Sequence, residues 1–159
     1  MNKERLQEFT LRVTQANRTD LIVILYDIFE ADLESASEAL MGKDFKTYEK
    51  EVKHASRIVN QLMGALDYRY SISYDLLSLY SYINKKLVGA LVSRCNQDFA
   101  EILDLIHDLR IGFEEASKQD TSGKVMANTQ QIYAGLTYGR GKLNESSLTP
   151  GDNNRGFRA

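Results

Sequence analysis

Cysteine, proline, tryptophan and histidine are nearly missing from this 159-residue chain, which holds one Cys, one Pro, no Trp and two His. A lone Cys95 excludes an internal disulfide framework and any multi-cysteine metal centre, and it fits a reducing cytoplasm. Charge of one sign is scarce as well. The formal net charge of -2 is too near neutral for a chain whose main work is gripping nucleic acid or an anionic membrane. No apolar run reaches the length of a bilayer span, and Met1-Asn2-Lys3-Glu4-Arg5 leads into mixed polar sequence without the apolar run of a secretory signal. These absences predict a cytoplasmic protein with no nucleic acid and no membrane among its partners. What is present, 43% hydrophobic and 26% charged residues, is a globular composition with room for one core.

Helix breakers divide the chain in two. Pro150 and six of the ten glycines lie beyond residue 120, so residues 1–120 carry four glycines and no proline, as a helical domain would. Charge divides at the same place. The stretch 121–159 has five basic and two acidic residues, a balance of +3 that leaves -5 for the body. The expected organisation is an N-terminal arm (1–16), a helical domain (17–120) and a Gly-rich basic tail (121–159).

Four segments of the body have helical period. Asn17 is placed to cap the first, whose stripe is Ile22, Leu25, Phe29, Leu33, Ala36 and Leu40, with Gly42 as its end. Asp44 is placed to cap the second, with Phe45, Tyr48, Val52, Ala55, Val59, Leu62 and Leu66 inward. Ser73 is expected to cap the third, over Leu76, Leu79, Ile83, Leu87, Ala90 and Arg94. The fourth is expected to open with a capping box of Asp98 and Glu101 and to run through Phe99, Ile102, Ile106, Leu109, Phe113 and Ala116. Short connections force neighbouring helices to run antiparallel. The predicted fold is therefore all-α, an antiparallel up-down-up-down four-helix bundle with an N-terminal arm and a C-terminal extension. Leu6, Phe9 and Val13 share a helical face, so the arm is expected to pack on the bundle. Val125, Thr129, Ile132 and Leu136 suggest a fifth, marginal helix in the tail.

Two of these segments are more apolar than a bundle requires. Residues 21–29 read Leu-Ile-Val-Ile-Leu-Tyr-Asp-Ile-Phe, which implies burial on more than one side. The third segment adds Tyr74, Leu77, Val88 and Val92 outside its stripe, and five of the nine tyrosines (Tyr68, Tyr70, Tyr74, Tyr80, Tyr82) cluster near its start. Tyrosine combines contact area with a hydroxyl that tolerates water, a combination enriched in recognition surfaces. The excess is either covered by the arm and tail or forms a groove for an amphipathic partner segment. Both hold if arm or tail competes with the partner, and self-association through either is a further option. Val125, Ile132, Tyr133, Leu136 and Tyr138 are the tail residues expected to dock.

Little in the sequence points to catalysis. Glu51 with His54, and Asp104 with His107, have the E/D-x-x-H spacing of di-iron bundles, but the third helix offers only Asp75 as a further carboxylate. His54 falls beside Ala55 and so is expected to point outward, solvated. No metal and no cofactor are expected. A histidine phosphotransfer module is the alternative function, because His54 with Arg57 one turn on supplies an exposed imidazole and a cation. Ile58 stands where such modules keep glycine.

Other residues point to a family. Ala16-Asn17-Arg18-Thr19-Asp20 followed by Leu21-Ile22-Val23-Ile24-Leu25-Tyr26-Asp27 resembles the opening of the first bundle helix in flagellar secretion chaperones of the FliS type. Ala55 with Ile58-Val59 and Leu62, then Leu66-Asp67, continue the likeness. So do Leu79-Tyr80-Ser81-Tyr82-Ile83 with Lys85-Lys86-Leu87, and Asp108-Leu109-Arg110 with Phe113. Family members usually carry proline where Arg18 stands and tryptophan where Phe113 stands. The resemblance implies a four-helix bundle and a cytoplasmic, non-enzymatic chaperone. Its expected partner is the disordered C-terminal segment of flagellin, with flagellar export components as further partners. The residues expected to form the client groove are Ile22, Tyr26 and Phe29 with Tyr70, Tyr74, Leu77 and Tyr80, and Ile22, Phe29 and Tyr80 are expected to be partly core.

Overall fold

The computed structural model describes residues 3–126. Five helices and no strand occur among the described residues: α1 (Lys3–Gln15), α2 (Arg18–Met41), α3 (Phe45–Gly64), α4 (Ile72–Ser93) and α5 (Phe99–Gln119). Of the residues expected to dock from the tail, Val125 lies in a turn with its side chain exposed, and its N–H donates to the Ala16 carbonyl at 3.0 Å. The others lie outside the described residues.

Local chemistry sets the first helix boundaries. The Asn17 side chain accepts from the Asp20 N–H at 2.7 Å, and the Asp20 carboxylate accepts from the Asn17 N–H at 3.0 Å, a reciprocal capping box. Arg18 is thus the first residue of α2, a position where proline is also well tolerated. Asp44 accepts from the Thr47 N–H and opens α3. Between them Gly42 closes α2, and Lys43 makes the reversal at φ 56°.

The caps expected for the last two helices are different. Helix α4 begins two residues earlier than a Ser73 cap would place it, and the Ser73 hydroxyl donates to the Asp67 carbonyl at 2.6 Å, bracing the α3–α4 turn. Asp98 makes no side-chain cap bond. It accepts from Lys86 Nζ at 2.8 Å, while Glu101 accepts from the Tyr82 hydroxyl at 2.5 Å. A side-chain donor on the neighbouring helix, the Lys86 ammonium for Asp98 and the Tyr82 hydroxyl for Glu101, replaces a backbone N–H as partner of each carboxylate. Arg94 leaves the expected inward stripe. It ends α4 in the left-handed region, φ 52°, with its guanidinium 5.1 Å from the Phe45 ring centre.

Helix α2 is the centre of the packing, lying against α1, α3 and α5, and α3 also packs on α4. This explains the apolar run at 21–29. Tyr26, Phe29, Leu33 and Ala36 enter the main core with Val52, Val59, Ile83, Leu87, Ile102 and Ile106. Ile24, Leu21, Ile28 and Ala31 form a second, smaller cluster with Phe9, Val13 and Ala16 at α1. The arm is therefore a helix seated on α2 through Phe9 and Val13, whereas Leu6 stays exposed.

Polar contacts record which ends meet. Ser117, late in α5, donates to Asp20 at the start of α2. Tyr48, early in α3, donates to the carbonyls of Ala90 and Cys95 at the end of α4, each at 2.8 Å. Ser56 donates to Asn84 between the middles of α3 and α4.

Candidate partner-binding surface

The seven residues expected to form a groove separate into a buried set and an exposed set. Tyr26, Phe29 and Tyr80 are sealed in the core, where the Tyr26 and Tyr80 hydroxyls hydrogen-bond to one another. Burial pushes both phenols well above the usual tyrosine range. Two phenolic oxygens in an apolar interior satisfy each other, which removes the cost of an orphaned donor. The Tyr26 ring also meets Phe113 edge-on at 5.7 Å, so α2, α4 and α5 converge here. Ile22 and Leu77 are half-buried.

Tyr70 and Tyr74 are the exposed pair, 62% and 57% accessible. Tyr68 lies against Tyr74 with ring centres 5.6 Å apart, and Ile72, 62% accessible, stands in the same corner at the start of α4. Tyr68 and Ile72 were not among the expected groove residues. The signal for Ile72 was its place between Tyr70 and Tyr74 in a stretch too short to be covered by a helix of its own. Farther along α4, Val88 and Val92 are also exposed.

The polar clusters serve to join helices. Asp27, the sole polar residue in the apolar run, accepts from Arg12 of α1 on one oxygen and from Arg110 of α5 on the other, each at 2.5 Å. One carboxylate thereby ties the arm and the last helix to α2. His54 does not stand free in solvent as expected. Its Nδ1 lies 2.5 Å from an oxygen of fully buried Asp32 on α2. Burial pushes the Asp32 carboxyl up to about 6, with the nearby Glu51 charge acting in the same sense and the His54 hydrogen bond opposing it. Half-buried, with Nδ1 turned onto a carboxylate of α2, this imidazole is part of the α2–α3 seam. His107 is farther from a partner, 3.9 Å from Glu30. Among the described residues no group of three or more His, Cys, Asp or Glu side chains is placed to hold a metal, and no described helix is long and apolar enough to cross a membrane.

Internal ion pairs that fasten helices, together with apolar and tyrosine side chains left facing outward on α4, define a helical-bundle protein with exposed apolar surface. The comparison with known families agrees. The model of the family described as flagellar protein FliS matches residues 1–120, and the chain belongs to that family, the FliS-type flagellar export chaperones. No curated protein matches the chain in sequence. The family is one of chaperones and not of enzymes, its partners are flagellar proteins, and it gives no support to a phosphotransfer role for His54.

Proposed function

We propose that this chaperone acts in the cytoplasm on the C-terminal segment of flagellin, preventing its premature polymerisation and aiding its delivery to the flagellar export apparatus. The bundle that presents the binding surface is read as antiparallel and up-down-up-down, with α1 as an arm. Supporting this are the contacts that join the start of α2 to the end of α5 and the start of α3 to the end of α4.

The observation that carries the function is the tyrosine and isoleucine surface at the start of α4. Tyr68, Tyr70, Ile72 and Tyr74 are all about half exposed or more, although other apolar side chains of the same helix are fully buried. A chain that buries its apolar face inside a filament needs a substitute for that filament before assembly. The ordering cost of binding keeps such a complex releasable. The decisive measurement is calorimetric titration of the full chain with the C-terminal segment of the organism's own flagellin. Saturable binding that survives His54→Ala supports the proposal. Absence of binding overturns it.

A further inference from the structure

Helices α3 and α5 both pack closely on α2 and not closely on one another. The outward face of each is dominated by charge of one sign. On α3, the residue two positions before each of the buried Tyr48, Val52, Ala55 and Val59 is a cation: Lys46, Lys50, Lys53 and Arg57. On α5, the residue two positions after each of the buried Phe99, Ile102 and Ile106 is a carboxylate: Glu101, Asp104 and Asp108. Two positions are about 200° around a helix, so each ridge stands opposite its own buried stripe. All of these charged residues are exposed.

Sorting charge in this way is unfavourable within one molecule. Lys46 with Lys50, Lys53 with Arg57, and Asp104 with Asp108 are like charges at i,i+4, a spacing at which they repel. A face that needs only to be wet is served as well by mixed signs. Local partners answer part of the charge. Lys53 donates to Glu49 and Lys50 to Glu51, while Glu101 accepts from Tyr82 and lies 3.5 Å from Lys86 Nζ. Lys46, Arg57, Asp104 and Asp108 close no ion pair among the described residues.

The two ridges match in spacing as well as in sign. Lys50, Lys53 and Arg57 step by three and four, as do Glu101, Asp104 and Asp108, so helices laid parallel bring three opposite charges level. Laid antiparallel, Lys53, Lys50 and Lys46 meet Glu101, Asp104 and Asp108 in the same steps. Ile111, half-exposed one turn beyond Asp108, offers an apolar surface to the stems of the cations. Because both ridges face away from the core, the match is usable only between molecules.

We propose that the partner is a second copy of this chain, with the Lys46–Arg57 ridge of one molecule laid on the Glu101–Asp108 ridge of the next. The contact is heterologous, so it adds molecules head to tail and does not close a dimer. Exposed ion pairs are worth little singly, and the association is therefore weak, reversible and sensitive to salt. Neither ridge includes Tyr68, Tyr70, Ile72 or Tyr74, so the contact draws on none of the exposed corner proposed for the client.

The test is sedimentation equilibrium of the full chain at high protein concentration, in about 20 mM and about 500 mM salt. The parent should associate at low salt and be a monomer at high salt. Lys46→Glu with Arg57→Glu sets a carboxylate against Asp108 in either direction of pairing, and Asp108→Lys sets a cation against Lys46 or Arg57. Each variant alone should raise the dissociation constant several-fold while melting close to the parent. Mixed in equal amounts, the two should regain the parent's association, because the altered ridges pair with one another and the unaltered ridges pair as before. A parent that is monomeric at low salt overturns the proposal. So does association that salt leaves unchanged, or a mixture that behaves as the sum of its parts. If Asp108→Lys weakens association and the α3 variant does not, the cations of α3 are not the partner and the proposal fails.

Discussion

Helices α2 and α4 are both rich in apolar side chains, and the fold treats them oppositely. Helix α2 has α1, α3 and α5 against it, so almost every large apolar residue in it is at least half-buried. Helix α4 packs closely on α3 alone and leaves Ile72, Tyr74, Val88 and Val92 in solvent. An apolar sequence therefore has two meanings in this molecule. In α2 it is buried against three neighbouring helices, and in α4 a good part of it stays in solvent, on the surface proposed for the client. Substitutions along the two helices should separate stability from binding.

The largest difference is expected for apolar truncation. Phe29→Ala removes a fully buried ring from α2 and should cost about 4 kcal/mol, read by chemical denaturation. Val92→Ala on α4, at a site 83% exposed, should change stability by no more than about 0.5 kcal/mol. Comparable losses at both sites would show that α4 is covered in solution and erase the contrast.

Next in size is the clamp on α2. Asp27→Ala leaves Arg12 and Arg110 facing one another without the carboxylate they share, at an expected cost of about 2 kcal/mol. The effect should be uneven. Because α1 is held by a small apolar cluster plus this clamp, its amide hydrogens should exchange faster in the variant while those of α3 change little. Uniform acceleration would mean that α1 is not a separate unit seated on α2.

A smaller effect concerns the α2–α3 seam and pH. Asp32 holds its proton to about pH 6 when folded, against 3.8 for the free side chain. The native state therefore binds more protons than the unfolded chain between these values. This group's contribution is complete below pH 3.8 and is lost as pH rises through about 6. Other carboxylates, Asp44, Asp67 and Asp120 among them, are shifted downward and act in the opposite sense, so the comparison must be with Asp32→Asn. Wild type should gain on the variant as pH falls from 7.5 to 4.5. A constant gap would show that burial does not hold the Asp32 carboxyl protonated against the opposing His54 hydrogen bond.

Much of this contrast was legible from the residues, and where it was not the reason is physical. The caps at Asn17 and Asp44 were readable because each is satisfied within three residues of itself. Those assigned to Ser73 and to the Asp98–Glu101 box were not, because their partners are the Asp67 carbonyl, Lys86 and Tyr82, which the fold alone brings near. The apolar excess at 21–29 correctly implied burial on two sides. Periodicity placed Tyr48 inward but missed Tyr26. The stripe through Ile22, Leu25 and Phe29 leaves Tyr26 to one side, yet it is sealed in the core with its hydroxyl on that of Tyr80, fifty-four residues away. His54 was misplaced for the same reason, since nothing near it in sequence announces Asp32.

The smallest stability effect is the most informative about function. Tyr74→Ala removes an exposed ring whose recorded aromatic partner is Tyr68, itself exposed, so the melting curve should hardly move, by about 0.5 kcal/mol at most. Tyr80→Ala, six residues along the same helix, should cost several kcal/mol and leave the Tyr26 hydroxyl without its partner. For flagellin binding the ranking should reverse once both proteins are compared under conditions where they are folded. Loss of Tyr74 removes contact area from the surface itself, whereas loss of Tyr80 empties a position the client never reaches. If Tyr74→Ala binds the flagellin segment as tightly as the parent, the exposed corner of α4 is not a contact surface, and its tyrosines must answer to something other than the client.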